Sequence, residues 1–196
     1  VGRASAVSVL GGSAPPVAPG ARLRRSVALT VLALVAACGR DVRADAHGSA
    51  RWPLASFTDR DVAVDIALER DSAGKTWLAG RFAPMRPGYH LYGKDLPKTG
   101  LRGIGRPTLL EVVRAPGLRP SGAVVADRAP GELKVPEIGL TFPVYPAGPV
   151  TLRQPVTLDP AQPRDAELSV TYMACTEGTC LAPAIDRRVH VSLPKP

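Results

Sequence analysis

The chain has 196 residues, 45% of them hydrophobic and 21% charged, with 21 prolines, 19 glycines and three cysteines. That length allows one domain with a real core. The formal net charge is +8, yet the basic residues are scattered and no cluster is interleaved with aromatics, which argues against a nucleic-acid partner.

At the N-terminus, Arg22, Arg24 and Arg25 precede the uncharged run SVALTVLALVAAC (26–38). With about twelve apolar or small residues, the run is shorter than the roughly 20 that a spanning helix needs. Residues 1–37 therefore read as a secretory signal segment. No Met precedes Met85, so Val1 reads as an alternative or mis-called start and 1–20 as an extension. Val35-Ala36-Ala37-Cys38 resembles a bacterial lipobox, whose cysteine is lipidated and becomes the first mature residue. An ordinary signal peptide with a chance cysteine is the alternative. Acyl chains on Cys38 would hold the domain at a membrane surface, and Gly39, where Asp would retain it, points to the outer membrane. The removed segment carries Arg3, Arg22, Arg24 and Arg25 and no acid, which leaves 21 basic against 17 acidic residues, or +4. With Cys38 consumed, Cys175 and Cys180 remain as a pair in an oxidising compartment outside the cytoplasm.

Residues 38–51 read as the lipidated cysteine and a polar, patternless tether, and 52–196 as the folded domain. From there the chain is strand-like. DVAVDIALER (61–70) sets Val62, Val64, Ile66 and Leu68 on one face; DSAG (71–74) turns, and KTWLAGRF (75–82) returns as a hairpin. GYHLYG (88–93), TLLEVVRA (108–115), LTFPVY (140–145), VTLRQPVTLD (150–159), AELSVTYMA (166–174) and RRVHVSL (187–193) complete the set. Helical periods are broken everywhere by Pro or Gly. Seven or eight short strands with frequent turns predict an all-β, immunoglobulin-like antiparallel sandwich, with an open barrel as the alternative. The stretch 116–139 is the longest weakly structured segment and so a candidate for function.

The strand 166–174 presents Leu168, Val170, Tyr172 and Ala174 on one face and ends at Cys175; Thr176-Glu177-Gly178-Thr179 then forms a turn, with Gly178 available for positive φ, before Cys180. Such a turn can bring two cysteines within bridging distance, about 4.4–6.8 Å between Cα atoms. A loop of about six residues contributes only ~2 kcal/mol as a staple. Redox work and a structural bridge stay equally open on spacing alone. A metal site has little support, because His47, His90 and His190 stand at no ligand spacing to the cysteines, and His190 between Val189 and Val191 reads as an exposed strand residue. Glu177 and Asp186 read as turn and solubility residues. The chain holds no hydrolase, zinc-protease, phosphate-loop or Cys-x-x-Cys signature.

VTYMACTEGTCLAPAIDRRVHVSL (170–193) resembles the end of the N-terminal periplasmic domain of the thiol:disulfide interchange protein DsbD, through Tyr172, Cys175, Cys180, Leu181 and Pro183. RPGYHLYGKDL (86–96) resembles that family's Gly-Tyr-x-Leu-Tyr segment. The resemblance implies an immunoglobulin-like fold without cofactor and an electron relay. A thioredoxin-like or membrane donor reduces the pair, and the dithiol reduces periplasmic acceptors such as disulfide isomerases or cytochrome c maturation factors. It implies that Cys180 forms the mixed disulfide and Cys175 resolves it, with Tyr92, His90, Glu137 and Ile138 as flanking residues. The family shields its disulfide with an aromatic cap loop, and Pro136-Glu137-Ile138-Gly139 has no aromatic. His90 stands where the family often has Tyr. The family's membrane-spanning and C-terminal thioredoxin segments are not matched in this sequence, so the expected electron donor is a separate protein. The competing expectation is a non-catalytic, lipid-anchored binding module with a structural bridge.

Overall fold

A computed structural model describes residues 43–44 and 50–195; the signal segment, Cys38 and His47 lie outside the described residues. Period-two alternation becomes strand wherever it was legible. β1 (Arg43–Ala44), β2 (Ala50–Asp59), β3 (Val62–Arg70) and β4 (Thr76–Pro84) form a meander, followed by the short β5 (His90–Leu91) and by β6 (Leu109–Arg114). Then come β7 (Leu118–Pro120), β8 (Val125–Ala126), β9 (Gly131–Val135), β10 (Leu140–Val144), β11 (Val150–Leu158), β12 (Asp165–Tyr172), β13 (Ala174–Cys175) and β14 (Ala184–Ser192). Among the described residues the one helical piece is a 3-10 turn, Pro136–Ile138.

The larger sheet runs β1-β2-β3-β4-β11-β7, with β8 also on β11, and the smaller runs β14-β12-β6; the neighbouring strands pair antiparallel. They pack face to face as a sandwich rather than an open barrel. Val62, Val64, Ile66 and Leu68 of β3 meet Leu168, Val170 and Tyr172 of β12 in one buried core. Phe82 of β4 packs edge-on against Tyr172 at 5.7 Å between ring centres. The sheets approach closely at Gly80: a Cβ on it would sit 2.8 Å from a Leu110 methyl of the facing sheet, which would have to shift.

Two segments differ from the sequence reading. β2 begins at Ala50, and Arg43 and Ala44 pair with Arg51 and Ala50, inside the stretch read as tether. β2 was not legible because its register shifts between Pro53 and Ala55. Trp52 and Leu54 point inward before the bulge, Ala55 and Phe57 after it, so the period-two signal changes phase midway. The second difference is 116–139, read as weakly structured. It holds β7, β8, β9 and the 3-10 turn, with Leu118 in the main core. Pairings of two to five residues separated by Pro and Gly are too short to show alternation.

The edges of the two sheets meet where β2 ends. The Tyr172 hydroxyl donates to the Asp59 carbonyl at 3.1 Å, and Arg187 of β14 pairs with the Asp59 carboxylate at 3.0 Å while lying over the Phe57 ring at 3.8 Å. Burial pushes the Tyr172 phenol up to about 12, so it stays a donor. Arg188 pairs with Glu167 at 3.4 Å. Both arginines, which follow the cysteines closely in sequence, therefore have carboxylate partners of their own.

Candidate functional site: a cross-strand disulfide at the sandwich end

After Tyr172 the chain leaves the smaller sheet. Met173 breaks the pairing, and β13 pairs instead with β5, placing Ala174 opposite Leu91 and Cys175 opposite His90. Cys180 faces Cys175 across an isolated antiparallel bridge. The Thr176 N–H donates to the Thr179 carbonyl at 2.8 Å and the Leu181 N–H to the Ala174 carbonyl at 2.9 Å. These bonds flank the cysteines, which makes them a non-hydrogen-bonded pair, the arrangement that brings facing residues closest. They are joined in a disulfide with Cα atoms 4.0 Å apart, closer than the range expected from sequence, for that reason.

The turn is built differently from the sequence reading. Gly178 does not adopt positive φ. The Thr176 hydroxyl instead accepts from the N–H groups of Gly178 at 3.3 Å and Thr179 at 3.1 Å. Open space surrounds a Cβ at Gly178. Gly178→Ala is therefore expected to change stability by less than ~0.5 kcal/mol, whereas Thr176→Val costs about 1 kcal/mol by removing the tip acceptor. Urea unfolding of the two variants distinguishes a side-chain-built turn from a glycine-built one.

The two sulfurs have unlike surroundings. Cys175 is 1% exposed, within a small second core containing Tyr92, Leu96 and Phe142; Cys180 is exposed. The Tyr92 hydroxyl lies 3.5 Å from Cys175 Sγ and, since a disulfide sulfur has no proton, donates to it. Burial holds the Tyr92 phenol above its usual range, so it keeps that proton. Tyr92 packs edge-on against Phe142 at 5.5 Å and against His90 at 6.0 Å. Gly105, at φ +78°, passes so near that a Cβ would lie 3.0 Å from the Tyr92 ring.

Phe142 arrives on β10. β9 and β10 form a hairpin, β10 bridges to Tyr92 through Val144, and the Gly93 N–H donates to the Pro143 carbonyl at 2.7 Å. The aromatic support of the disulfide therefore comes from the stem of this hairpin, while its tip carries the exposed Glu137 and Ile138. The Ile138 carbonyl accepts from Arg102 at 3.3 Å, which ties the tip to the 101–104 loop. Of the flanking residues expected from sequence, Tyr92 and His90 stand beside Cys175. Glu137 and Ile138 make no hydrogen bond to the pair among the described residues. Phe142 was passed over, although Leu140, Phe142 and Val144 alternate in LTFPVY as a buried face would. His190 is exposed, as its neighbours implied. Among the described residues no three His, Cys, Asp or Glu side chains are grouped to hold a metal.

The family described as "Thiol:disulfide interchange protein DsbD, N-terminal" matches residues 55–191, which include both cysteines and all the residues just described. The chain belongs to the DsbD N-terminal domain family. Solved structures similar to it include two N-terminal domains. One is the DsbD N-terminal domain of Neisseria meningitidis in the reduced form, 18% identical with a TM-score of 0.40, covering 59% of this chain and 75% of that one. The other is the N-terminal periplasmic domain of ScsB from Proteus mirabilis, 13% identical with a TM-score of 0.46, covering 74% of this chain and 52% of that one. The chain thus spans about half the length of the ScsB domain structure. No curated protein matches the sequence. For a DsbD N-terminal domain, the Cys175–Cys180 bridge places this chain in a thiol–disulfide exchange family.

Proposed function

We propose that the chain relays electrons by thiol–disulfide exchange outside the cytoplasm, tethered to a membrane, the outer membrane by the sorting residue Gly39, through a lipidated Cys38. The observation that carries this reading is the asymmetry of the bridge: an exposed Cys180 bonded to a buried Cys175 at a hairpin tip. An incoming thiolate reaches only Cys180 Sγ, so Cys175 leaves as the thiolate, in a pocket where the Tyr92 hydroxyl already points at its sulfur. In the opposite direction the Cys180 thiolate attacks an acceptor's disulfide, and Cys175 then displaces the acceptor. A thioredoxin-like or membrane-bound donor and disulfide-containing periplasmic acceptors, cytochrome c biogenesis factors among them, are the partners this chemistry fits.

The reduction potential of the pair tests the reading. The chain from Gly39 onward, equilibrated in graded thiol–disulfide buffers and read by alkylation mass shift, is expected to show a midpoint between roughly −180 and −270 mV, the range of exchange proteins. A midpoint below about −300 mV belongs to structural disulfides. It would reduce the pair to a staple and the domain to a tethered binding module.

A further inference from the structure

His90 carries an unexplained feature. It is only 8% exposed, and its Nε2 is buried with no hydrogen-bond partner. A buried ring nitrogen left unpaired costs free energy comparable to a lost hydrogen bond, so such an atom calls for a partner in some state of the protein. The register identifies one. His90 and Cys175 are directly opposed across β5 and β13, and directly opposed residues project from the same face. Cys175 and Cys180 are opposed across the next bridge, so His90, Cys175 and Cys180 form one row on one face. Leu91 and Ala174, on the other face, belong to the main core. In the disulfide, Cys175 Sγ has no proton to give. In the dithiol it has one.

We propose that His90 Nε2 accepts the proton of the Cys175 thiol and so generates the thiolate that resolves the mixed disulfide. This rests on the exchange reading above. The step balances as follows. With an acceptor X held as Cys180–S–S–X, the Cys175 S–H proton passes to Nε2. The Cys175 thiolate attacks Cys180 Sγ, the Cys175–Cys180 bond forms, the Cys180–X bond breaks, and X leaves as a thiolate that takes the proton from the imidazolium or from water. The dithiol loses two electrons and the acceptor disulfide gains them. The groups facing His90 are Cys175 across the strand, Tyr92 two residues along and Glu177 in the hairpin tip. Burial, the larger effect, lowers the imidazole below its usual value, and Glu177 opposes it. The ring is therefore neutral and able to accept a proton at neutral pH.

Single-turnover kinetics separate the two thiols. The reduced full chain is mixed with one equivalent of dithionitrobenzoate disulfide. A first release of coloured thionitrobenzoate reports attack by Cys180; a second reports ring closure by Cys175. In the unaltered chain the second phase is expected to be flat above about pH 6.5 and to slow as pH falls through the lowered His90 value. In His90→Gln it is expected to be about a hundredfold slower at pH 7 and to rise only towards the ordinary thiol range near about 8.5, with the first phase unchanged. His90→Phe, which keeps a ring against Tyr92, serves if the Gln side chain disturbs folding. A second phase with unaltered rate and pH profile overturns the proposal, as does equal slowing of both phases. Absence of any first phase in the unaltered chain overturns the exchange reading itself, and His90's role with it.

Discussion

Cys175→Ala is expected to turn the protein into a trap. Cys180 keeps its exposure and still attacks an acceptor's disulfide, but no thiolate remains to displace the product. Mixed disulfides therefore accumulate and turnover falls on the order of 10³-fold or more. Cys180→Ala should form no adduct at all, because Cys175 is 1% exposed and out of an acceptor's reach. Both variants should remain folded, since the bridge closes a loop of about six residues and contributes only ~2 kcal/mol. Non-reducing electrophoresis and intact mass, after incubation with an oxidised thioredoxin-like protein, read the adducts directly. Equal adduct formation by both variants would mean that the burial asymmetry does not set the order of attack.

Phe142→Ala is expected to have the largest effect on stability. Phe142 is 1% exposed and packs on Tyr92, whose hydroxyl meets the buried sulfur. Truncation of a buried Phe costs about 3–5 kcal/mol, a large part of the ~5–15 kcal/mol that holds a domain together. The loss falls where the β9–β10 hairpin meets the sandwich end, so Cys175 should also become reducible by small thiols faster than in the unaltered chain. Urea unfolding gives the first effect and the rate of reduction by a monothiol the second. A loss under about 1 kcal/mol would show that the hairpin stem is not packed as a core. A full loss of stability with no change in reduction rate would separate the hairpin from protection of the disulfide.

Legibility in the sequence followed the range of the interaction. β3, β11 and β12 were readable because each alternates over eight or nine residues, long enough for period two to stand out, and β4 because it returns after the DSAG turn. β2 was not, because its bulge at Pro53–Ala55 shifts the alternation by one residue. The segment 116–139 was not, because its pairings gain their stability from β10 and β11, not from any pattern of their own. The cysteine pair, the Gly-Tyr-x-Leu-Tyr segment and the resemblance they carry were in the residues themselves.

By itself, then, the sequence determined an all-β chain, a pair of cysteines with four residues between them, and a family. The tertiary structure decided which sulfur is buried, that Tyr92 meets it and is backed by Phe142 from the hairpin stem, that Arg187 belongs to Asp59, and that His90 faces Cys175 with a nitrogen unpaired. The physical reason is separation along the chain. Alternation and turn chemistry act over a few residues and are written locally. Tyr92 and Cys175 are 83 residues apart, and only strand register brings a hydroxyl and an imidazole onto the face of one sulfur.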